Sequence, residues 1–249
     1  MRATYSKYVL RIIGARLSPT ALYRLQAFVN HMRVGRWMRD HGFQFDRALP
    51  DRWDVFDVML QQVRDEPVLY LEFGVFKGRT TRYWAERLRH PKSVLHGFDS
   101  FEGLPEEWAG HAKGHIFDAQ GQIPVIDDAR VRFFKGWFDQ VLPTYTVPSH
   151  ERLVLILDAD LHSSTTCVLQ HLRSHIRPGT LIYFDEMNHP EHEPRAFDEF
   201  MRETGLKFKP IAADRTLTYA CFECVGGGVP SRSTLSTVMK PVGSVQHSP

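Results

Sequence analysis

Leu71-Glu72-Phe73-Gly74-Val75-Phe76-Lys77-Gly78 ends an apolar run that begins at Val68, and it closes on an acid and two glycines four residues apart. A short continuous apolar run suits a strand buried on both faces. The glycines suit a tight turn into a helix opening at Arg79, where the backbone can approach a ligand and a helix N-terminus welcomes a carboxylate or phosphate. Four more runs repeat the pattern: Ser93 to Asp99, Val131 to Gly136, Leu153 to Asp160 and Thr180 to Glu186. Between them lie helix-length segments, Thr80 to Arg89, Ser163 to Ile176 and Pro194 to Thr204, the last closed by Gly205. Such alternation predicts right-handed crossovers and a Rossmann-like, doubly wound α/β fold with a mostly parallel sheet. Leu206 to Val225 has strands with no helix between them, which predicts an antiparallel hairpin at the C-terminal edge.

The flanks differ from this body. The chain has 249 residues, 43% hydrophobic and 24% charged, enough to bury a core and incompatible with disorder throughout. Its three cysteines are too few for a disulfide framework, and no run of 18 apolar residues occurs. Arg11 interrupts the only stretch resembling a signal peptide, so a cytoplasmic location is expected. The net charge of +2 hides an asymmetry: the first 40 residues carry eight Lys or Arg against the single acid Asp40. A mildly acidic body argues against a nucleic-acid partner. Residues 1–40 read as two short amphipathic helices, Tyr5 to Leu17 and another starting at Ser18-Pro19 and carrying Leu22, Leu25, Phe28, Val29 and Met32. The expected organisation is a helical cap, lid or oligomerisation segment over 1–65, a ligand-binding domain over 66–225 and a flexible tail over 226–249. The basic apolar cap implies a homo-oligomer or peripheral contact with an anionic membrane surface.

In open parallel sheets ligands bind beyond the carboxyl ends of the strands. Asp99, 25 residues after Gly74, stands where an acid can accept ribose hydroxyls, although a turn-capping role suits it too. The absence of G-x-G-x-x-G spacing lowers a nicotinamide reading. Asp158-Ala159-Asp160-Leu161-His162 and Asp185-Glu186 close the fourth and fifth runs, and crowding of carboxylates is costly unless a cation sits among them. Oxygen donors without thiolate favour Mg²⁺ or a similar hard ion. Cys221 and Cys224 have C-x-x-C spacing, but a strand there places their sulfurs on opposite faces, which makes them structural. His189 and His192 follow the acidic pair and read as surface-loop residues, with contact to metal or substrate as the alternative; His111 and His115 sit in a Gly-containing loop and read as surface residues.

Together, Leu71 to Gly78, Gly97-Phe98-Asp99-Ser100-Phe101-Glu102-Gly103-Leu104-Pro105, Lys135-Gly136-Trp137-Phe138 with Leu142-Pro143, Asp158-Ala159-Asp160-Leu161 and Phe184-Asp185-Glu186 resemble the macrocin O-methyltransferase family of class I S-adenosylmethionine-dependent enzymes. The resemblance covers roughly residues 66–204. It implies transfer of a methyl group to a hydroxyl of a sugar or other polyhydroxylated small molecule, with Mg²⁺ as a second cofactor. It places Glu72, Gly74 and Gly78 around the cofactor's methionine part, Asp99 on the ribose, Ser100 and Phe101 beside the adenosine, and Gly136 and Trp137 near its ring. It gives Asp158, Asp185 and Glu186 to the metal and leaves Asp160 or His162 to receive the proton. Relatives often carry two aspartates where Asp185-Glu186 stands and a tyrosine where His162 stands. A degenerate cofactor-binding subunit on the same fold is the rival expectation, and the retained carboxylates argue against it.

Overall fold

The computed structural model describes residues 2–106, 113–114 and 116–227. His111, His115 and residues 228–249 of the expected tail lie outside them, whereas the first two residues of that tail, Gly226 and Gly227, belong to a strand. Eight strands form one sheet: β1 (Ala48–Leu49), β2 (Val68–Phe73), β3 (Val94–Asp99), β4 (Val131–Lys135), β5 (Arg152–Leu157), β6 (Leu181–Phe184), β7 (Leu206–Asp214) and β8 (Ala220–Gly227). Their order is β1-β7-β8-β6-β5-β2-β3-β4. All pairings are parallel except those of β8 with β6 and β7. The C-terminal hairpin lies near one edge as expected, with the two-residue β1 added outside it.

Helices cover both faces because alternate strand residues point to opposite sides. Leu69, Leu71 and Phe73 join a core with Val168 and Leu169 of α6 (His162–His171) and Phe197 and Phe200 of α7 (Glu193–Thr204). Val68 and Tyr70 join a second core with Phe56 and Met59 of α3 (Arg52–Val63) and Trp84 of α4 (Arg79–Arg87). Cys221 belongs to the second core and Cys224 to the first, the opposite-face placement expected of a strand, and both are free thiols.

Four elements differ from the sequence reading. α3 was not anticipated, and it packs into the body, burying Val55, Phe56, Met59, Leu60 and Val63. The second N-terminal helix is not short: α2 spans Pro19–His41, since nothing stops it until Gly42 takes a left-handed cap at φ 69°. The sheet releases the chain earlier than expected at β5 and β6, so Asp158 to Asp160 and Asp185-Glu186 stand in loops beyond it. α1 (Arg2–Gly14) and most of α2 contribute little to either core; only Val34 of α2 is buried, whereas Leu10 and Phe28 are 66% and 65% exposed.

Candidate active site

The chain runs outward from β2 to β3 and β4 on one side and returns through β5 to β6 on the other, so the sheet order reverses between β2 and β5. That reversal opens a crevice at the carboxyl edge. The ladder continues one step past each strand: Gly74 N–H donates to the Phe98 carbonyl at 3.0 Å, Asp158 N–H to Phe73 at 2.9 Å, Asp185 N–H to Leu157 at 3.0 Å and Gly136 N–H to Asp99 at 2.9 Å. These bonds set the strand ends in one row. Gly74, at φ 95°, lies so close to the neighbouring turn that a Cβ there would stand 1.8 Å from the Asp158 carbonyl oxygen. Only glycine fits this meeting of β2 and β5. Above it lies a cavity of about 900 Å³, lined among others by Gly74, Asp99, Ser100, Gly136, Trp137, Asp158, Asp160, Asp185 and Glu186.

On one side the backbone organises the site. Asp99 Oδ2 accepts from the N–H groups of Val75 at 2.8 Å and Phe76 at 2.7 Å, and Oδ1 from Phe101 N–H at 2.6 Å. A carboxylate offers about four acceptor sites, so three amides leave about one for a ligand hydroxyl. The turn-capping role considered for Asp99 is therefore present, and it shapes the glycine loop. Ser100 Oγ donates to the Gly103 carbonyl at 3.0 Å and accepts from Glu102 N–H at 3.1 Å, fixing the next turn. Behind Asp99, on β3, His96 Nδ1 lies 2.7 Å from the Tyr145 hydroxyl, and burial with Arg132 nearby lowers its pKa to about 4.

On the other side acids converge. Asp160 is 5% exposed and holds φ 58°, a left-handed conformation unfavourable for a residue with a Cβ. Burial, then Asp185, raises its carboxyl to about 7, and burial with Asp160 and Asp185 raises Glu186 to about 8. Asp185 Oδ1 accepts from the Tyr183 hydroxyl at 2.6 Å. Arg52, the first residue of α3, enters this group: its Nη1 donates to Asp158 Oδ2 at 3.3 Å and its Nη2 to Asp185 Oδ2 at 2.8 Å. Its guanidinium carbon also lies 4.8 Å from the centre of the Tyr219 ring. Burial alone would lower the pKa of Arg52, but Asp185 and Asp158 outweigh it and raise it.

Four expected site residues stand elsewhere. The Glu72 side chain does not line the cavity; it points into the layer beneath, where Oε2 accepts from the hydroxyls of Tyr70 at 2.7 Å and Thr81 at 2.5 Å, and burial raises its carboxyl to about 8. Phe101 is fully buried beneath the loop because its backbone turns left-handed at φ 58°. Gly78 caps α4 from behind the lining, where a Cβ would meet Pro124 at 2.9 Å. His162 faces α7, its Nε2 2.7 Å from Glu199 Oε2, and not the cavity. The residue that sequence reasoning missed is Arg52. Asp51-Arg52 does carry a local signal, an N-cap that accepts from Trp53 N–H at 2.8 Å and Asp54 N–H at 3.3 Å, but nothing local reveals partners 106 and 133 positions away.

The seven longer strands, with the last antiparallel and inserted beside the fifth, and the cavity at the β2/β5 reversal define the class I methyltransferase fold. Residues 50–220 match the model of the macrocin-O-methyltransferase (TylF) family, and the protein belongs to that family. It is similar to 8-demethyl-8-(2,3-dimethoxy-alpha-L-rhamnosyl)-tetracenomycin-C 4'-O-methyltransferase of Streptomyces olivaceus, 31% identical over 136 residues that cover 47% of this chain and 51% of that protein. It is also similar to mycinamicin III 3''-O-methyltransferase of Micromonospora griseorubida, 30% identical over 133 residues, 52% of this chain and 49% of that one. The chain spans about half the length of the curated relatives it matches. A calicheamicin methyltransferase crystal structure shares the fold, with a TM-score of 0.51 at 19% identity, covering 84% of this chain and 94% of that one.

Proposed function

We propose that this chain transfers a methyl group from S-adenosylmethionine to a hydroxyl of a sugar or other polyhydroxylated small molecule. The observation that carries the reading is the cavity at the sheet reversal, with Gly74 pressed against Asp158 and a buried carboxylate, Asp160, facing the same space. Family membership supports it. A volume of about 900 Å³ accommodates a nucleoside cofactor and a small acceptor together. In this reading the Gly74 loop receives the methionine part, Asp99 offers its remaining acceptor site to the ribose, and Gly136 with Trp137 borders the adenine.

Methyl transfer from a sulfonium is an in-line displacement: the acceptor oxygen bonds to the methyl carbon as the carbon–sulfur bond breaks and the sulfide leaves. The protein's part is alignment and removal of the hydroxyl proton. Asp160 is the carboxylate placed for that proton, buried, raised toward neutrality and held by a strained turn; His162, turned toward Glu199, is not. The Mg²⁺ implied by the family resemblance meets hard oxygen donors here, but the Arg52 guanidinium already bridges Asp158 and Asp185. Among the described residues, no three His, Cys, Asp or Glu side chains are arranged so that they could hold a metal ion. As arranged, the residues do not fit a resident divalent ion, and no step is routed through one.

The same reading places the enzyme in the cytoplasm, with its N-terminal arm against an anionic surface. The segment 1–32 carries Arg2, Lys7, Arg11, Arg16 and Arg24 and no acid, and Leu10, Tyr23, Leu25 and Phe28 are each more than half exposed. A second copy would bring like charges together, whereas anionic headgroups complement them. No described helix is long and apolar enough to cross a membrane. Co-sedimentation with phosphatidylserine vesicles, abolished in a chain lacking residues 1–32, is the expected outcome; a salt-insensitive dimer without vesicle binding overturns this placement.

The test of the activity is transfer of labelled methyl from S-adenosylmethionine to a panel of deoxyhexosides and polyphenols. Label in a hydroxylated acceptor, lost in Asp160→Asn, supports the proposal. Cofactor binding without transfer to any acceptor supports the rival, a cofactor-binding subunit.

A further inference from the structure

We propose that Arg52 is the resident cation of the Asp158–Asp185 pair, so that its guanidinium and a divalent ion compete for one place. The two carboxylates leave different strands, β5 and β6, at adjacent ends of the parallel sheet, and each gives one oxygen to the same guanidinium, at 3.3 and 2.8 Å. Among the described residues Arg52 is the cation that pairs with either acid. It is held there from three directions. Asp51 caps the helix that starts at Arg52, Tyr219 stands 4.8 Å from the guanidinium carbon, and the two acids take its Nη1 and Nη2 hydrogens. The Arg52 side chain is 26% exposed and that of Asp185 only 7%, so the interaction is little screened.

The choice of arginine fits this task. A guanidinium is planar, permanently charged, weakly hydrated and able to give parallel hydrogens to two carboxylates while stacking on an aromatic ring. It spreads one positive charge over two acids, one oxygen from each, whereas a divalent ion drawn to the same two carboxylates would meet a fixed positive charge within a few ångströms. Divalent binding at this pair therefore requires Arg52 to leave. The inference stands on this geometry and not on the methyl-transfer reading, because its test reads ion binding alone.

The experiment is a Mn²⁺ titration of the full-length protein followed by the electron paramagnetic resonance signal of free Mn²⁺. It compares wild type, Arg52→Gln, Arg52→Lys, Asp185→Asn and the double variant Arg52→Gln with Asp185→Asn. Arg52→Gln removes the charge but keeps a planar polar group, and circular dichroism checks its fold. We expect Arg52→Gln to bind one Mn²⁺ at least about tenfold more tightly than wild type. The double variant should lose that gain, and Arg52→Lys should stay near wild type. Equal or weaker binding by a folded Arg52→Gln overturns the proposal. So does wild-type binding of one Mn²⁺ in the low micromolar range that Asp185→Asn abolishes, a result that needs no folded Arg52 variant.

Discussion

The loops after β2 and β3 and the loops after β5 and β6 line the same cavity, yet the first pair is fixed by backbone amides and the second by side chains, Tyr183 on Asp185 and the distant Arg52 on both Asp158 and Asp185. Asp99 takes three N–H groups, all within 24 residues of it, and glycine makes the close approach at Gly74. Asp158 and Asp185 depend instead on Arg52, delivered by a helix start from another part of the chain. A backbone-built half tolerates no added atom, while a side-chain-built half keeps its shape but changes its charge when one residue changes. The two halves should therefore fail in different ways.

The largest effect should come from Gly74→Ala, because the new Cβ would meet the Asp158 carbonyl at 1.8 Å and the backbone sits at φ 95°. We expect a loss of about 3 to 5 kcal/mol in denaturant unfolding. A variant as stable as wild type would show that the two halves are not in contact as described. Next is Asp160→Asn, which should cut methyl transfer by about 10² to 10⁴ while leaving cofactor affinity within about twofold. An equal fall in binding and turnover would move Asp160 from proton transfer to cofactor positioning.

A smaller effect belongs to the backbone-built half. His96 has a folded pKa near 4 against an ordinary value of 6.5, so between those values the unfolded chain binds a proton that the fold does not. Stability carried by neutral His96 is intact above pH 6.5 and is lost as the pH falls toward 4. The expected loss is about 2 kcal/mol, and it should be absent from His96→Phe when urea midpoints are compared at pH 7 and pH 4.5. Parallel curves for the two proteins would contradict it. The smallest effect is Asp51→Ala, which removes the α3 cap and should cost about 1 kcal/mol in melting experiments. Because that cap starts at Arg52, a loss much above this value would mean that it also maintains the acidic half.

The same contrast explains what could be read from the sequence. The strands from Val68 to Phe184, their parallel order and the glycine turn were legible because apolar runs and glycine spacing are local signals that sheet packing then obeys. The acids at the ends of β5 and β6 were legible as residues, and their convergence followed from the topology. Their charge balance was not: the need for a cation was visible, but one located 106 positions earlier in the chain leaves no spacing to recognise. Glu72, Phe101 and His162 illustrate a second limit. Each sits in a motif at the cavity edge, but the strand alternation and local turns rotate its side chain into the core or toward a helix.

The most direct test of the whole account is calorimetric titration of the full-length protein with S-adenosylhomocysteine, run in parallel on Asp160→Asn. One site with micromolar affinity is expected in both proteins, since the backbone-built half holds the cofactor and Asp160 acts only on the acceptor. Absence of binding to folded wild-type protein would contradict it and leave the cavity at the sheet reversal without its cofactor.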